Sequence, residues 1–381
     1  MRVMIVGAAG AMASVVMRDL LSSVDNLSIT AADSRPIPFE DRRVQHVNLD
    51  IQDEERAART IEQHDVVLSC VPYRLNLLGM RAALRARVPY ADLGGLYHVT
   101  LQQLALHEEF VQAGVTAILG MGSTPGITNV MAGALTARMD RVDEIHVRVA
   151  CQDAAAPASL PIPYSLDTIL DEFSLDPIVF RDGKVVTMPP LGGSELIQFP
   201  PPVGAAEAVH TLHSEVAMFP HSFPELKEAS FKIAFPPAFS QSLRLLIGLG
   251  LASRDPLVRG VAPREVLLAL VGRQPIPEST PQDCDILRVE VKGMAQGAPV
   301  VGKAESVVLP NPDSKIAAGA LDTGVPLSIV AQMLARAEIR SPGVLCPETS
   351  VPPDLFFAQL KRRGIRVSFS WGKAFKVNEH E

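Results

Sequence analysis

The chain of 381 residues carries 42 acidic and 35 basic side chains, a formal net charge of −7, and 47% of its residues are hydrophobic. This length suffices for two domains, and the acidic balance with scattered basic residues argues against a nucleic-acid partner. No uninterrupted apolar run approaches the ~20 residues that cross a bilayer, so we expect no membrane helix. The four cysteines include no C-x-x-C pair, which favours a reduced, cytoplasmic compartment.

The first predicted elements lie in "RVMIVGAAGAMASVVM". An apolar run with small residues is also typical of a signal peptide, but Gly7 and Gly10 interrupt this run early and Asp19 continues an amphipathic helix. A strand, a glycine turn and a helix start together form a cradle for a pyrophosphate, because the helix amino terminus attracts anions. The sequence therefore predicts a dinucleotide bound at this turn, through Gly7, Ala9, Gly10, Ala11 and Met12.

The next three predicted strands add to this site. "LSITAADS" ends at Asp33, near the ~20-residue offset at which an acidic residue binds the adenosine ribose. A carboxylate there repels the 2′-phosphate of NADP, so we expect NAD, with NADP less favoured because Arg35 offsets part of the repulsion. "VQHVNLDI" brings Asp50 close to the adenine. "DVVLSCVP" ends at the ligand crevice with Cys70, Val71 and Pro72, and we interpret the lone cysteine as a small buried residue rather than a nucleophile.

The alternation of strands and helices continues and then breaks. "VPYADLGG" predicts a strand with Asp92 at its carboxyl end, and "VTAILGMGSTPGITNVMAGALTARM" predicts a strand, a glycine-rich bend and a helix. Between about residues 157 and 310 the prolines cluster in short strand-like pieces, which is typical of strands and loops. The amphipathic helices "SIVAQMLARAEI" and "PDLFFAQLKRRGIRV" then resume the first pattern. This order predicts a domain inserted into the nucleotide-binding domain.

Segments at both ends of the chain resemble the saccharopine dehydrogenase family. They are the turn at Gly7 and Gly10, "DVVLSCVP", "YADLGG", "GMGSTPGITNVMAG", and "AAGALDTGVPLSIVAQMLARAEIRSPGVLCPE" (residues 317–348). In the middle, "IPYSLDTILDEF", "VFRDGK", "PPLGGSELIQFPPPVG" and "TLHSEVAMFP" look like the substrate domain of the L-lysine 6-dehydrogenase branch. That branch oxidises the 6-carbon of lysine with NAD, and water then hydrolyses the imine to the semialdehyde and ammonia.

The resemblance implies an α/β fold, a Rossmann-type doubly wound parallel sheet with an inserted α+β substrate and dimerisation domain. We expect residues 1–124 to form the first part of the nucleotide-binding domain, 125–312 the insertion and 313–381 the return to the first domain. A homodimer is expected. Several relatives carry Asp before the Pro-Gly where this chain has Thr124. A substrate cation that binds this Asp in relatives would meet only a hydroxyl here, and the bend supplies Gly122, Ser123 and Thr124 as expected substrate contacts.

Oxidation of an amine requires a group that holds the amine and a group that takes its proton. In the family the position of Asp92 lies by the substrate amine, so Asp92 is a candidate for both roles. In "VHTLHSEV", strand alternation would place His213 and Glu215 on one face and Ser214 on the other, which suits an acid–base pair or an amine clamp. The spacing of His210 and His213 also allows a metal site, but the strand-like flanks favour no metal. Ser214, Tyr164 and Ser165 are further candidates for substrate binding.

Two other functions remain open at this point. A saccharopine or carboxynorspermidine dehydrogenase joins an amine to an oxo acid, often with NADPH, and needs basic residues to hold the additional carboxylate. A non-catalytic NAD-binding protein would keep the cofactor turn while Asp92 and the pair of His213 and Glu215 have no reaction to serve.

Overall fold

The computed structural model describes residues 1–153, 162, 164–257, 259–273, 281–311 and 313–373. Seven strands form a parallel sheet: β1 (Arg2–Val6), β2 (Ser28–Asp33), β3 (Val44–Asn48), β4 (Val66–Ser69), β5 (Tyr90–Asp92), β6 (Thr116–Ile118) and β15 (Gly343–Leu345). Their order is β15-β6-β5-β4-β1-β2-β3, so the first six strands have the Rossmann order. The predicted α/β class with its parallel sheet is confirmed.

Helices cover both faces of this sheet, which explains why β1 and β4 are apolar along their length. The α-helices within the described residues are α1 (Ala11–Ser23), α2 (Glu54–Ile61), α3 (Asn76–Ala86), α4 (Tyr97–Leu104), α5 (His107–Ala113), α6 (Ile127–Thr136), α7 (Leu166–Ser174), α8 (Glu215–Ser222), α9 (Pro237–Gly248), α10 (Pro263–Val271), α11 (Ala318–Ala335), α12 (Pro347–Ser350) and α13 (Pro353–Arg362).

A second, mixed sheet follows the first six strands along the chain. Its strands are β7 (Arg141–Asp153), β8 (Ile178–Arg181), β9 (Lys184–Thr187), β10 (Glu195–Gln198), β11 (Ala205–His210), β12 (Glu228–Ala234), β13 (Asp283–Ala295), β14 (Ala298–Val308) and β16 (Val367–Lys373). The main path is β10-β11-β12-β7-β13-β14-β16, with β8 paired to β12 and β9. The pair of β12 and β7 is parallel, and the other pairs are antiparallel.

The chain after residue 312 contributes to both sheets. The strand β15 joins the parallel sheet beside β6, as the expected return to the first domain requires. Residues 367–373 differ from that expectation, because β16 pairs with β14 along seven residues of the second sheet. The outer edge of β14 is otherwise free to pair, and the last strand covers it. The exact domain bounds remain a prediction.

The helix α11 is long and apolar enough to pass the test for a membrane span, although the sequence was expected to contain no such stretch. Among the described residues it is the one helix with sufficient length and mean hydropathy, 1.2, but 78% of it is buried inside the protein. It packs on α1 so closely that a Cβ on Gly324 would lie 2.7 Å from Cγ1 of Val15. The helix also contacts β4, β5 and β13. Its apolar composition is therefore that of a core helix between the two sheets.

Candidate active site

The glycine turn after β1 lies against the end of β4. Gly7 has a φ of +80°, and a Cβ there would lie 2.7 Å from backbone atoms of Cys70 and Val71. Gly10 precedes α1 and donates its N–H to the Gly7 carbonyl at 3.0 Å. No described side chain caps α1, so its first-turn N–H groups are available to an anion. The turn therefore fits a pyrophosphate, and the other predicted contacts, Ala9, Ala11 and Met12, lie in it.

Asp33 ends β2 beside this turn, as predicted. Its Oδ2 accepts a hydrogen bond from the Ala9 N–H at 3.0 Å, and its Oδ1 accepts from the Arg35 N–H at 2.9 Å. Burial raises the pKa of Asp33, but these hydrogen bonds outweigh burial and hold the pKa below its ordinary value. The carboxylate is thus charged at neutral pH where a ribose hydroxyl would reach it. Asp50 follows β3 at the outer edge of the sheet and is exposed.

The residues that follow β4 complete this edge of the crevice. Cys70, Val71 and Pro72 lie beside Gly7, where the carboxyl ends of the parallel strands meet. Burial raises the pKa of the Cys70 thiol to about 12, so the thiol stays protonated at neutral pH. This agrees with the interpretation of Cys70 as a packing residue.

Asp92 ends β5 as predicted, but it is fully buried and already bound. Its Oδ1 accepts from the N–H groups of Gly94 and Gly120, at 2.9 and 2.7 Å. Its Oδ2 accepts from the Tyr90 hydroxyl at 3.1 Å and from Nε2 of Gln103 at 2.6 Å. Burial raises the pKa of Asp92 despite these donors. The geometry favours a role in positioning the loops after β5 and β6 over direct contact with a substrate amine.

The pair of His213 and Glu215 is formed, but not by a strand. The strand predicted for "TLHSEVAMFP" is wrong, because β11 ends at His210 and α8 begins at Glu215. Ser214 is the N-cap residue, and Ser followed by an acidic residue is typical of a helix start. The helix start still brings the two side chains together, and Nδ1 of His213 is hydrogen-bonded to Oε2 of Glu215.

The other oxygen of Glu215 is held by the bend after β6. Oε1 accepts hydrogen bonds from the hydroxyl of Thr124 and, at 3.1 Å, from that of Thr128 on α6. The ring of His213 stacks on Phe231 of β12, with centroids 3.7 Å apart and planes 8° apart. The pair therefore joins the carboxyl end of the parallel sheet to the second sheet, and Thr124 takes part where several relatives were expected to carry Asp.

The electrostatics of this pair favour its charged form. Burial alone lowers the pKa of His213, but the neighbouring carboxylate of Glu215 outweighs burial and raises it. Burial alone raises the pKa of Glu215, but the positive ring lowers it. Glu172, fully buried on α7, adds to the rise at His213. The two side chains form a buried ion pair whose proton lies on an imidazole.

The remaining predicted substrate residues lie around this pair with different partners. The Tyr164 hydroxyl donates to Oε2 of Glu172, and burial raises the pKa of that carboxyl to about 7. The Ser214 hydroxyl donates to the carbonyl of Gly95 at 2.9 Å. Ser165 is exposed and caps α7, where its hydroxyl accepts from the Thr168 N–H at 3.4 Å, so the structure gives it a local role.

Two residues of the bend after β6 lie at the same crevice. The Gly122 N–H donates to the carbonyl of Pro125 at 2.8 Å, which closes the bend. Ser123 lies beside Asp322 of α11, and its hydroxyl lowers the pKa of that carboxyl.

His210 does not join His213 in a common site. Its Nδ1 is hydrogen-bonded to the carbonyl of Phe231 at 3.0 Å, and burial lowers its pKa to about 4. Among the described residues, the side chains close enough together to share a metal ion are Glu144, His146 and Glu228, on β7 and β12. His146 there bonds Glu144 at 3.0 Å and Ser230 at 2.8 Å.

The structure adds residues that the sequence alone did not single out. They are buried acidic or hydroxyl groups from distant parts of the chain: Thr128, Glu172, Asp285, Asp322 and Glu348. Glu348 accepts from Asn129 at 2.8 Å and from Ser222 at 2.7 Å, and burial raises its pKa to about 7. A single acidic residue within an apolar segment, as in "ALDTG", is the signal that could have found Asp322.

A dinucleotide cradle that faces a buried acid–base pair defines an NAD(P)-dependent oxidoreductase. Residues 3–118 match the family model described as the saccharopine dehydrogenase NADP binding domain, and residues 122–365 match the saccharopine dehydrogenase C-terminal domain. The chain therefore belongs to the saccharopine dehydrogenase family, and the predicted family membership is confirmed.

Two curated relatives are similar to this chain over most of its length. Carboxyaminopropylagmatine dehydrogenase from Synechocystis is 24% identical over 395 residues, covering 96% of each chain. Carboxynorspermidine synthase from Vibrio cholerae is 26% identical over 325 residues, covering 79% of this chain and 76% of the relative. Both names refer to amines that carry a carboxyl group, whereas the expected lysine branch is not among these two.

The solved structures support the fold. Apo saccharopine dehydrogenase (L-Glu forming) from Saccharomyces cerevisiae aligns with a TM-score of 0.73 at 16% identity, covering 97% of this chain and 99% of that one. Homospermidine synthase from Legionella pneumophila, solved with NAD, aligns with a TM-score of 0.69 at 13% identity, covering 100% and 93%.

The four hydrogen bonds of Asp92 predict the effect of Asp92→Asn. The new amide group must face at least one N–H donor, so we expect a loss of about 1–3 kcal/mol in the free energy of unfolding, measured by urea titration. Asp50→Asn, at an exposed carboxylate, is the control and should change stability by less than about 0.5 kcal/mol. A stable Asp92→Asn protein with only a raised KM for an amine would contradict the positioning role and restore the role expected from the sequence.

Proposed function

We propose that this protein is an NAD-dependent dehydrogenase of a carboxyalkyl amine, acting on the CH–NH bond that joins an amino acid part to a cationic amine part. The observation that carries the proposal is the buried ion pair of His213 and Glu215, held by Thr124 from the nucleotide-binding side of the crevice. Family membership supports the reaction type, and the relative named carboxyaminopropylagmatine dehydrogenase, which matches over 96% of both chains, supports the substrate class.

The residues of the pair are suited to moving one proton. When bound, the nicotinamide ring accepts a hydride from the substrate carbon. The substrate nitrogen loses a proton in the same oxidation, and a positioned base must take it. In the neutral form of His213, Nδ1 donates its proton to Glu215, which leaves the Nε2 lone pair free to accept the substrate proton. The resulting ion pair can return that proton in the reverse, reductive direction. Water then divides the product imine into an amine and a carbonyl compound.

The charges around the pair favour a cationic substrate. The acidic groups Glu172 and Glu348 interact electrostatically with the pair, and Asp285 and Asp322 lie farther along around Cys151, which Glu172 also affects. Saccharopine carries several carboxylates, which such surroundings would repel. An amine with a second positive group would be attracted instead. The acidic surroundings thus weigh against the saccharopine alternative.

Lysine, oxidised at its 6-carbon, is the second candidate. The middle of the chain, including "IPYSLDTILDEF" and "TLHSEVAMFP", carries the resemblance to the lysine branch. The ammonium group of lysine would fit the same acidic surroundings. Lysine lacks the second amine part, so the two candidates differ in the length of the substrate and not in the chemistry at the reacting bond.

The choice of NAD over NADP is also part of the proposal. The charged carboxylate of Asp33 supports it, since a 2′-phosphate would be repelled there. Arg35 is paired to Asp33 through Nε at 3.3 Å, so part of its charge is compensated.

We further propose a cytoplasmic homodimer. Leu245 on α9, Leu249 directly after α9 and Leu270 on α10 are exposed, which supports a protein contact on these helices.

A spectrophotometric screen tests the proposed function. Reduction of NAD should be faster with carboxyaminopropylagmatine or carboxynorspermidine than with lysine, and slowest with saccharopine. Lysine as the best substrate would establish the second candidate. A protein that reduces neither nucleotide with any of the four, while still binding NAD, would refute a dehydrogenase function of this kind.

The ion pair predicts the pH dependence of oxidation. His213 accepts a proton only when deprotonated, so kcat/KM should rise with pH through its raised pKa, above the ordinary ~6.5. Glu215→Gln removes the negative charge that raises this pKa, and the rise should move to lower pH. His213→Ala should lower kcat by ~100-fold or more.

A matched control for these profiles is Glu305→Gln, which breaks the 2.7 Å ion pair with Arg288 on the second sheet. Its pH profile should equal that of the wild type. If Glu215→Gln and His213→Ala also leave the profile and kcat unchanged, the pair is structural.

The cofactor choice is tested by calorimetry with both nucleotides. The wild type should bind NAD more tightly than NADP, and Asp33→Ala should reduce this preference by about tenfold, since it removes a charged acceptor for the ribose. Asp65→Ala is the control, because Asp65 forms a similar pair with Arg2 at the amino ends of the central strands β4 and β1, away from the carboxyl ends where the cofactor turn lies. Tighter binding of NADP by the wild type would mean that Arg35 governs the pocket.

A further inference from the structure

Three acidic side chains meet where the start of α11 packs against β13, and we name them the carboxylate cluster: Asp283, Asp285 and Asp322. Asp285 lies opposite Cys151 in the pairing of β13 with β7, and the Cys151 thiol hydrogen-bonds its carboxylate. The carboxyls of Asp283 and Asp285 act electrostatically on Asp322, and burial raises the pKa of Asp285 to about 7 and that of Asp322 well above its ordinary value. The members of the cluster therefore favour their protonated forms while no cation is bound.

The carboxylate cluster lacks the partners that buried carboxylates ordinarily have. Asp322 is fully buried, and no described residue has strict hydrogen-bond geometry to either of its oxygens, although the hydroxyls of Ser123 and Thr323 lie close enough to lower its pKa. Oδ1 of Asp283 likewise has no hydrogen-bond partner among the described residues. No described lysine or arginine forms a salt bridge with any of the three. Burial of an unpaired carboxylate is costly. Such carboxyls take up protons when no positive group is near, as the raised pKa values of Asp285 and Asp322 indicate, and a bound cation would let them ionise.

The carboxylate cluster lies at one end of the candidate active site. Ser123 and Thr323 lie beside Asp322, and their hydroxyls lower its pKa. Ser123 directly precedes Thr124, which holds Glu215. The carboxyls of Asp322 and Glu172 both raise the pKa of the Cys151 thiol. The Tyr164 hydroxyl donates to Glu172, and Cys151 and Asp285 also lie near enough to raise the pKa of Tyr164. The cluster and the acid–base pair thus belong to one continuous buried region.

We propose that the carboxylate cluster binds the distal cation of the substrate, a guanidinium or primary ammonium group at the end of the amine part. This inference rests on the proposed function for the identity of the substrate and specifies which end of it is recognised. A guanidinium can donate to two carboxylates at once, which suits Asp285 and Asp322 together. The reacting nitrogen would then lie toward His213, while the distal cation satisfies the unpartnered oxygens.

The test compares two probes that differ in the distal cation. Agmatine carries an ammonium and a guanidinium, whereas butylamine carries one ammonium only. By calorimetry on the full chain with NAD present, the wild type should bind agmatine about tenfold to a hundredfold more tightly than butylamine. In Asp322→Asn that difference should disappear, while binding of butylamine is unchanged.

Stability distinguishes a binding role from a structural one. At alkaline pH, where Asp322 loses its proton despite its raised pKa, Asp322→Asn removes an unpaired buried charge, so the free protein should melt a few degrees higher than the wild type. The control is Asp19→Asn: Asp19 also contacts α11, through Ser328 at 2.6 Å, but it is fully paired, with Arg363 at 2.7 Å. This variant should melt lower and keep the preference for agmatine.

The outcomes separate this inference from the proposed function. The protein could prefer agmatine over butylamine in a way that depends on Asp322 and yet oxidise none of the four test substrates. That result would support the cation site and refute the proposed function. Turnover of carboxyaminopropylagmatine with an agmatine preference unaffected by Asp322→Asn would refute the cation site alone. A third outcome would also overturn the cation site. In it, Mg²⁺ or Ca²⁺ binds by calorimetry, this binding is lost in Asp322→Asn, and the metal displaces agmatine and butylamine equally.

Discussion

The carboxylate of Glu215 is the constraint on which the site depends. It is fully buried, and burial of a lone carboxylate would be strongly unfavourable. Its charge is tolerated because donors from three places converge on it: the ring of His213 before α8, the hydroxyl of Thr124 after β6 and that of Thr128 on α6. Since these donors come from both sheets, the interaction that satisfies Glu215 also fixes the crevice between them.

Buried carboxylates of this protein fall into two groups with different physical consequences. Asp92 and Glu215 have donors for both oxygens, so they act as fixed points of the fold. Asp322 has no partner with strict hydrogen-bond geometry among the described residues, Asp285 is bonded to the Cys151 thiol, and burial raises both pKa values, that of Asp285 to about 7. A fold selected for stability alone would favour neutral side chains at such positions. The proposed cation site accounts for this contrast.

The sequence predicts the parallel sheet and the cofactor turn well, because these depend on local signals. An apolar strand, Gly7 and the helix start of α1 are contiguous, and Asp33 follows at a fixed offset. The pair of His213 and Glu215 was predicted correctly from an incorrect strand, because residues two apart can meet at a helix start as well as on one strand face. The partners of Asp92 could not be predicted, since Gln103 and Gly120 reach it only through the tertiary fold.

The two ends of the site are electrically connected, which links recognition to catalysis. Glu172 lies between them: it raises the pKa of His213, and its own pKa is about 7 because of burial. A cation bound at Asp285 and Asp322 would favour the charged form of Glu172. A charged Glu172 in turn increases the proton affinity of His213, through the same interaction that already raises its pKa. Binding of the distal cation would thereby strengthen the base that accepts the proton of the reacting nitrogen, while a substrate without that cation would leave the base weaker.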